Sequence, residues 1–175
     1  MGFGGKLLFA LAAWQTHVQV GEAQERGRVY KKAREVADRL GKPMLVVGGP
    51  GAGFNRNPLV QMFKLPGHGC GDVCLDIDLG ACRACGAEVT KVEASVTSIP
   101  FPDGHFGSAF ISHVLEHLPT VGDAEQAVRE LYRVADEVFI LSPSKQSIIA
   151  WLHPGHHLWV RQTPAGIYLE PWPQS

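Results

Sequence analysis

Three stretches of this chain carry residue types and spacings suited to chemistry. Gly49-Pro50-Gly51-Ala52-Gly53 follows directly on the apolar run Met44 to Val47. Glycines at such a turn let the backbone approach a ligand in conformations closed to other residues. No G-K-[ST] follows, so a P-loop is excluded, and a tight turn without a ligand is the plain alternative. Asp76 stands 25 positions beyond Gly51, at the end of the next apolar run. A carboxylate there can take both hydroxyls of a ribose, whereas Asp78 suits a helix cap.

The second stretch is His113-Val114-Leu115-Glu116-His117. Its H-x-x-E-H order mimics the inverted zinc-protease motif, which requires a helix presenting both histidines and a distant acidic ligand. Here it follows an expected strand, so the alternative is that Glu116 and His117 line the strand exit. The third is His153-Pro154-Gly155-His156-His157. It reads either as a source of a general base for a substrate hydroxyl or as a polar surface loop. Trp151, Trp159 and Trp172 flank it, as an apolar lid or as a cap on the core. Cys70, Cys74, Cys82 and Cys85 have zinc-knuckle spacing, yet Cys74 falls in an apolar run where a thiol is a small buried hydrophobe. No metal is assigned to either cluster, and no disulfide-rich secreted scaffold is implied.

The elements that must position these residues follow from periodicity. Glu22 to Leu40 reads as an amphipathic helix with Val29, Ala33, Val36, Ala37 and Leu40 on one stripe, stopped by Gly41 and Pro43. Strands are expected at Met44–Val47, Val73–Ile77, Glu88–Glu93, Ser108–Ser112 and Glu137–Leu141, the first fully apolar as in a parallel sheet. A short helix is expected over Asn57–Lys64, another over Ser147–Leu152, and one from an Asp123 cap to Val134 with Gln126 in the capping-box position. Last strands are expected at His157–Gln162 and Ile167–Glu170. Alternation of strands and helices predicts an α/β fold with a doubly wound, mostly parallel sheet, reduced at its C-terminal end, with ligands at the carboxyl ends of the strands.

The division expected is an N-terminal helical segment over 1–43 and an α/β domain over 44–175. Within the first, residues 5–20 hold the apolar run Leu7 to Trp14, read as a membrane-associated helix or as one docked on the domain or a partner. The run is interrupted by Gln15, His17 and Gln19, too soon for a span. A chain of 175 residues with 16 Lys plus Arg against 17 Asp plus Glu has a formal charge of −1. No basic field invites nucleic acid, and a hydrophobic share of 45% argues against disorder. The expected location is cytoplasmic, with membrane association as the alternative if residues 5–20 form a membrane-associated helix.

From Met44 to Pro143 the sequence resembles the class I S-adenosylmethionine-dependent methyltransferases, in particular the small-molecule, type 11-like group that includes quinone-biosynthesis enzymes. LVVGGPGAG is similar to the family's glycine motif, CLDID to its ribose-binding strand end, and SIPFPDGHFGSAFISHVLEHL to the stretch around its fourth strand. The resemblance implies S-adenosylmethionine over Gly49, Gly51 and Gly53, with Asp76 on the ribose and Ser95 where the family reads the adenine amine. It places the methyl group near His113, Glu116 and His117, the candidate catalytic residues. Some quinone-pathway relatives carry a metal-binding acidic-x-x-Glu-His there, and Glu116-His117 match its second half.

Three family carboxylates are replaced. Val47 stands at the end of the first strand, Ser95 at the adenine position, and Gly107 after Phe106. Each lost charge-assisted hydrogen bond is worth about 1.5–3 kcal/mol. The activity that the resemblance implies is methyl transfer to a small-molecule or lipid-like acceptor, and the three replacements count against it. The alternative is a non-catalytic methyltransferase-like module for binding or scaffolding. An acceptor site with little room for a covering insertion should be open, or completed by a membrane, a partner or a second copy in a homodimer. A dinucleotide-dependent oxidoreductase is disfavoured by G-x-G-x-G in place of G-x-G-x-x-G.

Overall fold

The computed structural model describes residues 3–50 and 68–172. Gly51, Gly53 and the helix expected over Asn57–Lys64 lie outside them. Helix α1 (Phe3–Leu40) runs unbroken for 38 residues. It ends where Gly41 takes φ 63°, with Gly41 N–H donating to Asp38 O at 3.1 Å and Lys42 N–H to Ala37 O at 3.2 Å. A side chain would be strained in that left-handed terminator.

Strands β1 (Met44–Val47), β2 (Val73–Asp76), β3 (Thr90–Glu93), β4 (Phe106–Ser112) and β5 (Ala135–Leu141) form one sheet in the order β3-β2-β1-β4-β5. Every neighbouring pair is parallel. The central strands are buried along their whole length, because helices cover both faces. On one face Met44, Val46 and Phe110 pack against Ala33 and Ala37 of α1. On the other, Leu45, Val47, Ala109 and Ile111 meet Ala124, Ala127 and Leu131 of α2 (Val121–Val134). This is the doubly wound, Rossmann-like arrangement that places ligand sites at the carboxyl edge of the sheet.

Gly107 lies where α1 crosses β4. A Cβ there would stand 3.0 Å from Ala37 Cα, and the neighbouring Ser108 hydroxyl donates to Ala33 O at 2.7 Å. Close approach of the helix backbone explains a glycine at this position. Arg133 of α2 fixes the turn before β4, donating to Ile99 O and Phe101 O and pairing with Asp103 and Glu130. The cap of α2 differs from expectation. Thr120, not Asp123, is the N-cap, and its hydroxyl oxygen accepts from Asp123 N–H at 3.1 Å. Asp123 returns the contact, its carboxylate accepting from that hydroxyl at 2.7 Å, a reciprocal pairing in the manner of a capping box.

Between β2 and β3 the described chain forms turns, closed by disulfides Cys70–Cys85 and Cys74–Cys82. The four sulfurs are thereby used in pairs, so neither the zinc-knuckle reading nor the free buried thiol describes them. Beyond β5, Ser147 caps the short helix α3 (Ile148–Leu152). Strands β6 (Leu158–Thr163) and β7 (Gly166–Pro171) then pair as an antiparallel hairpin separate from the main sheet. The hairpin buries Leu158 and Val160 in the core on the α2 side. Along α1, Leu7, Leu8, Phe9, Leu11 and Trp14 are exposed. No helix among the described residues is long and apolar enough to cross a membrane.

Candidate functional site

A cavity of about 630 Å3 opens at the carboxyl edge of the sheet, lined by residues that follow β1, β2 and β4 together with α1 and the loop after α3. Gly48 takes φ 81°, and a Cβ on it would collide with the Val114 side chain. At Gly49 a Cβ would strike the Ala81 carbonyl. The glycines are thus needed because two segments close on this turn: the one leaving β4, and the one that the Cys74–Cys82 bridge holds to β2. Asp76 ends β2 at the same place. Its carboxylate accepts from Gly49 N–H at 3.4 Å and from Asp78 N–H at 3.0 Å. Each oxygen keeps a further lone pair, and Asp76 lines the cavity. Asp78 does not cap a helix, since its carboxylate accepts from Gly80 N–H at 2.8 Å within a turn.

Across the cavity, His113 leaves β4 with φ 57°, the one non-glycine among the described residues with a positive φ. That conformation stores about 1–2 kcal/mol. It sets the ring between Arg26, whose Nη2 lies 2.5 Å from His113 Nε2, and Glu116, whose Oε1 lies 3.4 Å from Nδ1. Arginine only donates, so Nε2 accepts and the proton sits on Nδ1. Burial and the Arg26 charge hold His113 well below its usual pKa. Glu116, 1% exposed, is pushed up to about 8 by burial, against which the Ser142 hydroxyl at 3.4 Å offers little. Both groups are therefore neutral at pH 7; His113 Nε2 is engaged by Arg26, while Nδ1 faces Glu116 Oε1 without a hydrogen bond.

His117 differs. Its Nδ1 donates to Gly155 O at 2.8 Å, which leaves the Nε2 lone pair unengaged by that contact. Burial lowers its pKa, with His153 and His157 adding to the effect. His153 and His156 line the same cavity, so the third stretch is part of this site. His156 is lowered to about 4 by burial and by His117.

Of the residues expected from the sequence, Gly49, Asp76, His113 and His117 surround one cavity, and Glu116 lies behind it. Ser95 is not among the lining residues; its hydroxyl bonds Thr97 at 2.7 Å within a turn after β3. Sequence reasoning missed Glu22 and Arg26, which α1 delivers to the cavity wall. Arg26 is 3% exposed, and burial lowers it to about 10, still cationic at pH 7. Glu22 accepts from Ser144 N–H at 2.8 Å and is raised by burial. The signal was present: positions 22 and 26 extend the apolar stripe 29, 33, 36, 37 and 40. Charges on the inward face of a helix are costly unless they are used.

The sequence matches no curated protein. Among solved structures it is similar to Burkholderia thailandensis 1,6-didemethyltoxoflavin-N1-methyltransferase with bound 1,6-didemethyltoxoflavin and S-adenosylhomocysteine. That pair is 13% identical with a TM-score of 0.36, over 77% of this chain and 60% of that one. It is also similar to a chain of the complex formed by the Haloferax volcanii Trm112 methyltransferase activator, at 17% identity and a TM-score of 0.36. There the match covers 71% of this chain and 55% of that one. The chain thus spans little more than half the length of either. Residues 47–137 match the family described as Methyltransferase domain. That match runs from the end of β1 to the start of β5, more than half of the sequence, and by it the chain belongs to the class I S-adenosylmethionine-dependent methyltransferases.

Proposed function

We propose that this chain binds S-adenosylmethionine at the glycine turn and transfers its methyl group to a small-molecule or lipid-like acceptor. The observation that carries the reading is the convergence of Gly48, Gly49 and Asp76 on one side of the 630 Å3 cavity and the histidines on the other. A volume of this size suits small ligands. When bound, S-adenosylmethionine supplies an activated methyl on a sulfonium and leaves as a thioether. The chain's own share is positioning and charge. The Asp76 carboxylate, steadied by two backbone N–H groups, accepts the ribose hydroxyls. Arg26 and Glu22 offer opposite charges to the amino-acid end of the cofactor, in place of the carboxylate absent at Val47.

His113, engaged by Arg26 and facing Glu116, acts as a positioning residue. His117 is the histidine whose Nε2 can take a proton from the acceptor. For the acceptor class, support comes from the apolar surface beside the opening. Ile149, Trp151 and Leu152 of α3 are exposed, and α3 is tied to α1 by Gln15, whose side chain accepts from Ile148 N–H at 2.9 Å. Exposed Leu11 and Trp14 lie within a turn of Gln15. An apolar rim of this kind favours an apolar acceptor.

Calorimetric titration with S-adenosylmethionine and S-adenosylhomocysteine tests the reading. Stoichiometric binding is expected, weakened about tenfold to 100-fold in Asp76→Ala, the value of about 1.5–3 kcal/mol for a charged hydrogen-bond partner. Absence of binding up to about 1 mM, a free energy near −4 kcal/mol, would overturn it and favour the non-catalytic module.

A further inference from the structure

His117 lies on the turn after β4, whereas His153 and His156 come from the loop between α3 and β6. His117 and His153 are 36 positions apart in the chain, so the fold, not the sequence, brings them together. One ring nitrogen from each lies within 4.8 Å of the others, and the ring centroids are 4.4, 4.8 and 5.2 Å apart. From this geometry we infer that His117, His153 and His156 form a binding site for a divalent transition-metal ion of the zinc class, with an open coordination position facing the cavity.

The hydrogen bonds around the cluster favour this role over three rings packed only for their surface. His117 Nδ1 lies 2.8 Å from Gly155 O, and His156 Nδ1 lies 3.1 Å from Ala150 O. A carbonyl only accepts, so in both rings Nδ1 carries the proton and Nε2 presents a lone pair. Donation of the second ring nitrogen to a backbone carbonyl is how metal-binding histidines are usually oriented. His153 is arranged differently, since its Nδ1 accepts from Gly155 N–H at 3.2 Å. That long bond is the one it gives up to become a ligand. Tetrahedral zinc at about 2.0–2.1 Å from nitrogen sets ligand atoms about 3.3 Å apart. The nitrogens therefore need to close by at most about 1.5 Å, a movement within reach of side-chain rotation in a partly exposed loop.

Three imidazoles suit zinc, cobalt, nickel or copper better than magnesium or calcium, which take oxygen ligands. Three protein ligands leave the fourth position for water or a ligand atom. All three histidines line the cavity that also holds Asp76, so that position opens onto it. An ion bound there occupies the Nε2 lone pair of His117, which then serves as a ligand and not as a proton acceptor. The site does not depend on cofactor binding, which uses other residues; it competes only with the proton-accepting role given to His117.

The test uses the full chain, free of any polyhistidine tag and with its disulfides intact so that no thiolate competes. Co2+ is titrated by visible absorption and then displaced with Zn2+ against a chromogenic chelator. One ion per chain is expected, with the intense bands of four-coordinate cobalt. His153→Ala and His156→Ala should each weaken binding roughly 100-fold, at or beyond the upper end of what losing an outer-shell partner costs. His105→Ala, at the opposite end of β4, should leave it unchanged. Lack of stoichiometric binding, or equal affinity in all variants, overturns the inference. Should the variants not fold, zinc X-ray absorption on the unaltered chain decides. A shell of three imidazole nitrogens supports the site, and a shell of oxygens alone or containing sulfur refutes it. S-adenosylhomocysteine affinity measured on the same sample separates this outcome from the fate of the cofactor reading.

Discussion

Replacing Glu116 with glutamine should make the protein more stable as pH rises. The carboxyl ordinarily titrates near 4.5 and is pushed up to about 8 by burial. Between these values the folded chain holds a proton that the unfolded chain has released. Its contribution is intact at low pH and is lost as pH rises towards 8, at up to about 1.4 kcal/mol per pH unit. His113 is a neighbour whose pKa is lowered. Its contribution is present above about 6.5 and lost as pH falls below that, so it does not vary across a window from about 6.5 to about 8. Over that window the unaltered chain should lose roughly 2 kcal/mol relative to Glu116→Gln. The amide keeps the shape of the carboxyl and carries no titrating proton. Urea unfolding of both proteins at several pH values, without reductant, measures the difference. Parallel profiles would show that Glu116 is already ionised in the folded state over this window, and would refute the reasoning.

Two further outcomes bear on the glycine turn and its clamp. Gly48→Ala should destabilise the fold more than Gly41→Ala by about 1–3 kcal/mol. Both sites have positive φ, but only Gly48 is crowded, against Val114. Thermal unfolding of the two variants reads the difference, and equal losses would show that backbone strain alone matters. Reduction of the disulfides should cost about 3 kcal/mol for the loop closed by Cys70–Cys85, whose cysteines are 15 apart. It should also weaken S-adenosylhomocysteine binding, because the Cys74–Cys82 bridge holds Ala81 against Gly49. Unchanged affinity after reduction would show that the clamp is not needed.

The sheet was legible because buried parallel strands read as continuous apolar runs: MLVV, the FGSAFIS strand and the run ending at Leu141 appear within a few residues of their observed limits. Asp76 was legible for the same reason, being the first carboxylate after such a run. Cysteine pairing was not, since four cysteines within sixteen positions permit several connectivities. Thr120 and Asp123 are equally good capping types, and only the backbone decides that Thr120 is the cap. The C-terminal hairpin was readable as two strands but not as a separate sheet, which depends on packing against α2. Glu22 and Arg26 required knowing that α1 reaches the carboxyl edge of the sheet.

The tryptophans near the C-terminus give the site an optical property. Trp151, Trp159 and Trp172 lie with ring centroids 4.1 to 5.3 Å apart, and they are three of the chain's four tryptophans. At that spacing indoles couple as one chromophore. His156 adjoins it, 5.5 Å from Trp172. Emission and near-ultraviolet dichroism therefore come mostly from a single patch that shares a histidine with the cavity wall. The protein carries its own probe of whatever occupies that wall, without a label.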